Sequence, residues 1–260
     1  MILWLNGALC PAGAAGIDPG DRGFTLGDGV FETIAVQGGR PCHLPRHLAR
    51  LREGLGVLHI PEPSFAIAEA MAAVLSANGL QDAVLRLTVS RGAGPRGVLP
   101  RGGMTPTVLI TAAARPAPAG PARLVIAQGT RRNEFSPLSR IKSLNYLDNI
   151  LARQEAAARG ADDALLLNTA GHLAEATAAN LFLRLDGALV TPPPGDGALP
   201  GIARSLLLER AGAEERRLSP ADLARADSGF LSNSLGLRPI AAIEGRPLAL
   251  RPELAAALSP

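Results

Sequence analysis

Hydrophobic and polar positions change their period several times along the chain. ILWLN ends in Asn6-Gly7, a dipeptide that accepts the two positive-φ positions of a tight hairpin turn, and VFETIAVQ closes on Gly38-Gly39. The period then lengthens: PRHLARLREGLGVL and SFAIAEAMAAVLSANG carry apolar residues three and four apart, which predicts helices. Strands AVLRLTVS and TPTVLITAA follow. Residues 115–121, RPAPAGP, resist both helix and sheet ladder through their prolines and predict an extended connector. Beyond it the pattern predicts strand RLVIAQ, a helix from about Leu144 to Arg159, strands ALLL, NLFLRL and ALVT, and a helix IARSLLLERAG opening after Pro200-Gly201. Leu144, Leu147 and Leu151 fall on one face of the first of these helices and are expected to anchor it in the core. No internal repeat is visible. The expectation is an α/β (α+β) protein of two domains: a smaller one over 1–114, a linker over 115–121, and a larger one over 122–260.

Composition narrows the field. With 260 residues, 47% of them hydrophobic, the chain can bury a substantial core, which disfavours disorder or a fibre. Its apolar stretches are short, and MILWLNG has no basic lead, so the reading is a soluble cytoplasmic protein without signal peptide or membrane span. A net charge of +3 accompanies only 3% aromatic residues, too few for base-stacking platforms, so small anions are better partners than nucleic acid. Cys10 and Cys42 lack CxxC spacing and require no bridge. His43, His47, His59 and His172 show no HxH or HExxH spacing; they are read as capping or surface residues, and no metal is expected.

One position stands apart. Lys142 is the only lysine among 26 Lys and Arg residues. Where a solvated surface cation can be Arg as easily as Lys, a retained primary amine points to a need for the amine itself. A guanidinium, with a pKa of roughly 12 or more, cannot condense with an aldehyde, whereas a desolvated lysine can. Biased coding that left one lysine by chance is the plain alternative.

Other segments could supply partners. Gly92-Ala93-Gly94-Pro95-Arg96-Gly97 matches GxGxxG, but VLPRGGMTP behind it is broken by Pro100, Gly102, Gly103 and Pro106, so a dinucleotide site is not supported. The segment reads as a loop presenting Arg91 and Arg96, which could fork onto a substrate carboxylate, or as a simple turn. Glu175, in HLAEATAANLFL, sits between two predicted strands and by itself reads as a solvated loop residue. Pyridoxal phosphate chemistry gives it another role, since a carboxylate beside the ring nitrogen favours the protonated ring. LPGIARSLLLER offers a Pro-Gly turn into a helix whose first amides, Ile202 and Ala203, suit a phosphate, although an ordinary capped helix would look the same. Arg50 in HLARL and the segment Ser232-Asn233-Ser234 are further candidate donors.

Taken in order, these segments resemble the class IV aminotransferases, pyridoxal-phosphate enzymes of fold type IV with a D-amino acid aminotransferase-like fold. The resemblance runs through DRGFTLGDGVFET at 21–33, HLARL at 47–51, IKSLNYLDNILAR at 141–153, EATAANLFL at 175–183 and LPGIAR at 199–204. It implies a homodimer of two-domain subunits with pyridoxal 5'-phosphate bound between the domains, the Schiff-base lysine being Lys142 in the larger domain. By motif position Glu175 would meet the pyridine nitrogen, Arg50 and the amides of Ile202 and Ala203 the phosphate, Asn233 and Ser234 the phosphate surroundings, and Tyr146 the ring, unless Tyr146 is a half-buried core residue. Ala203 stands where many members have threonine, so no hydroxyl adds to its amide.

Three reactions within this resemblance compete. SRGAGPRG, FLSNSLGLRPI and FETIAV look most like 4-amino-4-deoxychorismate lyase, an enzyme of folate biosynthesis. The alternatives are a D-amino acid or a branched-chain aminotransferase. Val98 stands where some lyases have tyrosine and similar D-amino acid enzymes have histidine, and Asn233 stands where branched-chain enzymes carry hydroxyls. Two substrate carboxylates suit Arg91 and Arg96; Thr33 is either a second proton relay or an outward strand residue. A non-catalytic carboxylate-binding protein on the same fold remains as a reading from another class, opposed by retention of both Lys142 and Glu175.

Overall fold

The computed structural model describes residues 1–251. They divide into two compact units: Met1–Pro116 together with Ile141–Asn145, and Ala117–Arg140 together with Tyr146 onward. The segment that carries Lys142 therefore belongs with the N-terminal residues, not with the C-terminal ones where the sequence reading placed it. The reason is a backbone pairing described below.

In chain order the first unit contains β1 (Ile2–Leu5), β2 (Ala8–Pro11), α1 (Arg22–Leu26), β3 (Gly29–Gln37), β4 (Arg40–Pro41), α2 (Leu44–Leu58), α3 (Ile67–Asn78), β5 (Ala83–Ser90) and β6 (Thr107–Ala114). The strands form one sheet in the order β2-β1-β6-β5-β3-β4, every neighbouring pair antiparallel. Both predicted hairpins close as the dipeptides require, with φ of 49° and 104° at Asn6 and Gly7 and of 54° and 74° at Gly38 and Gly39. Side chains alternate along each strand. One face, with Val30, Ile34 and Val36 of β3, Leu85, Leu87 and Val89 of β5, and Val108 and Ile110 of β6, is fully buried. Helices α2 and α3 pack on the sheet. Their buried stripes, His47, Arg50, Leu51, Gly54 and Leu55 on α2 and Ala70, Met71, Val74 and Leu75 on α3, recur at helical spacing. On the opposite face Phe31 and Ala35 are buried, while Thr33, Arg86, Thr88, Leu109 and Thr111 are half-buried or exposed.

The second unit contains β7 (Ala122–Ile126), α4 (Leu147–Ala158), β8 (Asp163–Leu167), β9 (Leu173–Ala176), β10 (Asn180–Leu185), β11 (Ala188–Thr191), α5 (Ile202–Arg210), β12 (Glu214–Glu215), β13 (Ser228–Asn233), β14 (Gly236–Ile243) and β15 (Arg246–Pro247). Among the described residues these strands form a nine-stranded mixed sheet, in the order β12-β11-β10-β13-β14-β7-β8-β9 with β15 on β14. A cluster that includes Leu124, Leu165, Leu173, Leu181, Leu183, Leu231 and Ile240 forms its main core. Phe182 and Phe230 stack at 5.1 Å beside Leu207 of α5.

Helix α4 departs from expectation twice. It opens at Leu147 rather than near Leu144, because the Leu144 amide donates to the Gly29 carbonyl and holds the preceding residues extended. Leu147 and Leu151 are 73% and 56% exposed; the buried face is instead Asn149, Ala152 and Ala156. The small alanines of that face join Val125, Ala164 and Leu166 in a second cluster, where leucines would not fit the same spacing.

Phe182 is fully buried. Truncating it removes the stacked pair and leaves a cavity, so Phe182→Ala is expected to cost about 3–5 kcal/mol in chemical unfolding. A loss below about 1 kcal/mol would contradict its place in the core.

Candidate active site

The position of Lys142 follows from a short backbone pairing. Along the edge of β3 that does not face β5, the Phe31 amide donates to the Lys142 carbonyl and the Leu144 amide to the Gly29 carbonyl, both at 2.9 Å, with Val30 opposite Ser143. Alternation then turns the buried Ile141 and Ser143 to the helix-covered face and Lys142 to the other. There its Nζ lies 4.3 Å from the centroid of the Phe31 ring. Gly29 permits the approach: a Cβ at that position would lie 2.5 Å from the Val89 carbonyl oxygen and 2.8 Å from a Leu144 methyl. The amine is half-buried.

Arg86 shares the ring. Its guanidinium carbon lies 4.0 Å from the same Phe31 centroid, and Arg86 pairs across the sheet with Thr33. Phe31, Thr33, Arg86 and Lys142 thus occupy one side of the sheet, with two cations drawn to one aromatic surface. Sequence reading passed over Arg86 because nothing local distinguishes it from the chain's many other arginines.

On the helix-covered side, Glu32 is 1% exposed. It accepts from Arg50 Nε at 2.8 Å and Arg50 Nη2 at 2.7 Å, and His47 Nδ1 lies 2.7 Å away. His47, expected at the surface or as a cap, is 2% exposed because it completes this cluster. His43 and His59 do cap α2, both at left-handed φ. Burial pushes the Glu32 carboxyl up, but hydrogen bonds from His47 and Arg50 outweigh it and hold the group below the usual carboxylate range.

In the second unit Glu175 lies within β9 rather than in a loop, paired with Leu166 of β8, and is 6% exposed. Three donors face its carboxylate: the Leu199 amide at 2.9 Å, Asn180 Nδ2 at 3.4 Å and Arg132 Nη2 at 3.3 Å. Asn180 Nδ2 also donates to the Leu199 carbonyl at 2.8 Å, and a Cβ on Gly201 would come within 2.1 Å of Asn180 Oδ1. Asn180 therefore ties Glu175 to the turn that opens α5, and only glycine fits the N-cap of that helix. No side chain caps α5 there, so Ile202 and Ala203 begin the helix with its positive end uncapped. Arg132 carries no sequence signal, and Asn180, although inside the EATAANLFL motif, acquires its role only once the strands are paired.

The remaining candidates fall as follows. Tyr146 is the half-buried N-cap residue of α4. Asn233 is exposed at the end of β13, donating to the Ala178 carbonyl at 3.3 Å, and Ser234 is half-buried beside it. Arg96 is exposed on its loop. Arg91 is engaged internally: it holds Asp28 through Nε and Nη2 and donates to the carbonyls of Leu58 and His59. A guanidinium with four hydrogen bonds inside the fold is poorly placed to fork onto a substrate, so the carboxylate role expected of Arg91 is corrected to a structural one. Among the described residues no His, Cys, Asp or Glu group is arranged to hold a metal ion, and no helix is long and apolar enough to cross a membrane. Cys10 and Cys42 are free.

Residues 29–243 match the family model for amino-transferase class IV. The chain belongs to the class IV aminotransferases. A provisionally named branched-chain-amino-acid aminotransferase of Methanocaldococcus jannaschii is 34% identical over 95% of this chain and 89% of its own. The 4-amino-4-deoxychorismate lyase of Pseudomonas aeruginosa superposes with a TM-score of 0.86 at 37% identity, covering 98% of this chain and 96% of that one. A hypothetical aminotransferase from Mycobacterium tuberculosis, solved in its PLP-bound form, gives a TM-score of 0.85 at 26% identity, covering 99% of this chain and 97% of that one. The fold is that of the fold type IV enzymes, and the family's cofactor is pyridoxal 5'-phosphate. Each unit of this class IV aminotransferase carries groups of the kind that cofactor needs: in the first a half-buried primary amine suited to an aldehyde, and in the second a buried carboxylate suited to a ring nitrogen and a helix N-terminus without a side-chain cap suited to a phosphate.

Glu32 sets a pH dependence in this family member. A carboxylate held low in the fold stabilises above its unfolded pKa, and that stability is lost as pH falls through the folded value. Glu32→Gln removes this term and leaves the Arg50 guanidinium buried without its anion, at a cost of about 3–5 kcal/mol near neutrality. Unfolding curves should show wild type losing its advantage over Glu32→Gln as the solution is acidified below about pH 4. A stability difference that does not change with pH would contradict the assignment.

Proposed function

We propose that this class IV enzyme is a 4-amino-4-deoxychorismate lyase, which converts aminodeoxychorismate to 4-aminobenzoate and pyruvate in folate biosynthesis. The observation that carries the reading is the side of the six-stranded sheet where Lys142 and Arg86 flank the Phe31 ring. The buried Phe31 ring brings the two cations together, the amine supplies the chemistry, and the exposed guanidinium of Arg86 suits a carboxylate. Arg96 is the candidate for the second carboxylate. Likeness to the Pseudomonas lyase over nearly the whole of both chains supports the same reading.

Lys142 would hold the cofactor, Glu175 would meet its ring nitrogen, and Arg50 with the amides of Ile202 and Ala203 would take the phosphate, with Asn233 and Ser234 as further donors and Tyr146 toward the ring. Bound pyridoxal phosphate supplies an aldehyde for the substrate amine and a ring that accepts electrons. The Lys142 amine would take the proton from the amine-bearing carbon of the substrate. The carbon–oxygen bond to the side chain would then break, the six-membered ring become aromatic, and pyruvate leave as its enolate. The proton held by Lys142 would convert that enolate to pyruvate, so no keto acid is consumed. Thr33, on the same side of β3, is a candidate relay. Arg132 and Asn180 hold Glu175 in place.

The exposed Leu147, Ile150 and Leu151 of α4 give an apolar patch that suits a second copy of the chain, and the working form is proposed as a cytoplasmic homodimer. A D-amino acid or branched-chain aminotransferase is the second reading, favoured by the Methanocaldococcus relative. A non-catalytic role would leave Lys142 and Glu175 without purpose.

The holoenzyme supplied with aminodeoxychorismate alone is expected to release 4-aminobenzoate and pyruvate in equal amounts. Lys142→Arg should lower the rate by at least about a thousandfold. No product from aminodeoxychorismate, with amino transfer from D-alanine or L-leucine to 2-oxoglutarate instead, would replace the lyase by an aminotransferase.

A further inference from the structure

The tip of the loop over 92–99 is held by hydrogen bonds rather than by packing. Val98 and Leu99 are 86% and 85% exposed, and Arg96 is exposed between glycine and proline. On its Gly94–Pro95 side the loop borders an open cavity of about 1000 Å³ that extends to Ile17 and Met104. Its base is pinned by close approach: a Cβ on Gly92 would lie 1.9 Å from the Thr105 carbonyl oxygen, and one on Gly94 would lie 2.3 Å from the Met104 sulfur. The Arg22 amide also donates to the Gly92 carbonyl at 2.9 Å.

The tip is held differently. Arg22 Nη1 donates to the Gly97 carbonyl and Nη2 to the Val98 carbonyl, each at 2.7 Å. The guanidinium is itself fixed, because Nε donates to Asp28 Oδ2 at 2.8 Å and the residue is 5% exposed. Asp28 is held in turn by Arg91, which reaches the carbonyls of Leu58 and His59 at the end of α2. Burial pushes the Asp28 carboxyl up, but the two arginines outweigh it, so it sits below the usual range and remains an anion. An unbroken series of charge-assisted bonds therefore runs from α2 through Arg91, Asp28 and Arg22 to the two carbonyls that directly follow Arg96.

We propose that Arg22 is a positioning residue: by gripping the Gly97 and Val98 carbonyls it sets the reach of Arg96 toward the substrate carboxylate. This rests on the reading of Arg96 as a carboxylate partner. The requirement is for a planar fork. Two donors on one rigid group can hold two successive carbonyls while a third holds an aspartate, and a lysine ammonium cannot reproduce that geometry.

Arg22→Lys keeps the charge beside Asp28 and loses the fork. In the holoenzyme, KM for aminodeoxychorismate is expected to rise about tenfold, with kcat within about twofold and the visible absorbance of the bound cofactor unchanged. Arg96→Ala should raise KM at least as much, and the double variant should match Arg96→Ala alone, because Arg22 acts through Arg96. If Arg96→Ala raises KM and Arg22→Lys does not, the positioning role is overturned. If Arg96→Ala itself leaves KM unchanged, the reading of Arg96 fails instead. A fall in kcat together with loss of the cofactor band in Arg22→Lys would mark a general structural support and also overturn the proposal. Should Arg22→Lys not accumulate as folded protein, Arg22→Gln carries the same expectations.

Discussion

Two backbone hydrogen bonds, from Phe31 to Lys142 and from Leu144 to Gly29, decide where the chain's single lysine lies. They make a strand-like stretch of Ile141–Leu144 and fix its register against β3, and register alone decides which face each side chain takes. A slip of one residue would turn Lys142 under the helices and bring Ile141 and Ser143 out beside Phe31. The buried positions of Ile141 and Ser143 oppose that slip, and Gly29 leaves room for the pairing. The same bonds explain why α4 starts late, at Leu147, and why its first leucine is exposed.

Within the first unit the protein repeatedly fixes arginine with a buried or half-buried acid. Glu32 fixes Arg50, and Asp28 fixes Arg22 and Arg91. Within the second unit the relation reverses, and Arg132 serves the carboxylate of Glu175. Breaking a buried pair is costly, whereas a surface pair contributes little, so these clusters define positions in a way that the scattered exposed arginines do not. In two of these clusters a side chain with a proposed chemical role, Arg50 or Glu175, is oriented by its partner, and in the third Asp28 orients Arg22 and Arg91.

Much of this was legible in the sequence where the determinant is local. Asn6-Gly7 and Gly38-Gly39 declare their turns through backbone freedom, the stripes of α2 and α3 through periodicity, and the family through five ordered motifs. Lys142 declared itself by being alone. What was not legible depends on contacts distant in sequence. Glu175 reads as a loop residue until Leu166 pairs with it, Leu147 reads as core until alanines are seen to pack α4, and Lys142 reads as C-terminal until it pairs with β3. Arg91 and Arg96, five residues apart, look equivalent, yet one is engaged with Asp28 and the other lies exposed. Arginine is so abundant here that only the fold separates Arg86, Arg132 and Arg22 from the rest.

The central claim is that Lys142, held over Phe31 by the pairing with β3, is the amine that bonds the cofactor. Borohydride reduction of the protein saturated with pyridoxal phosphate, followed by mass analysis of its peptides, tests it most directly. One phosphopyridoxyl group per chain on the peptide containing Lys142 is the predicted result. Stoichiometric label on the N-terminal amine instead, or none at all from protein shown to hold the cofactor, would contradict it.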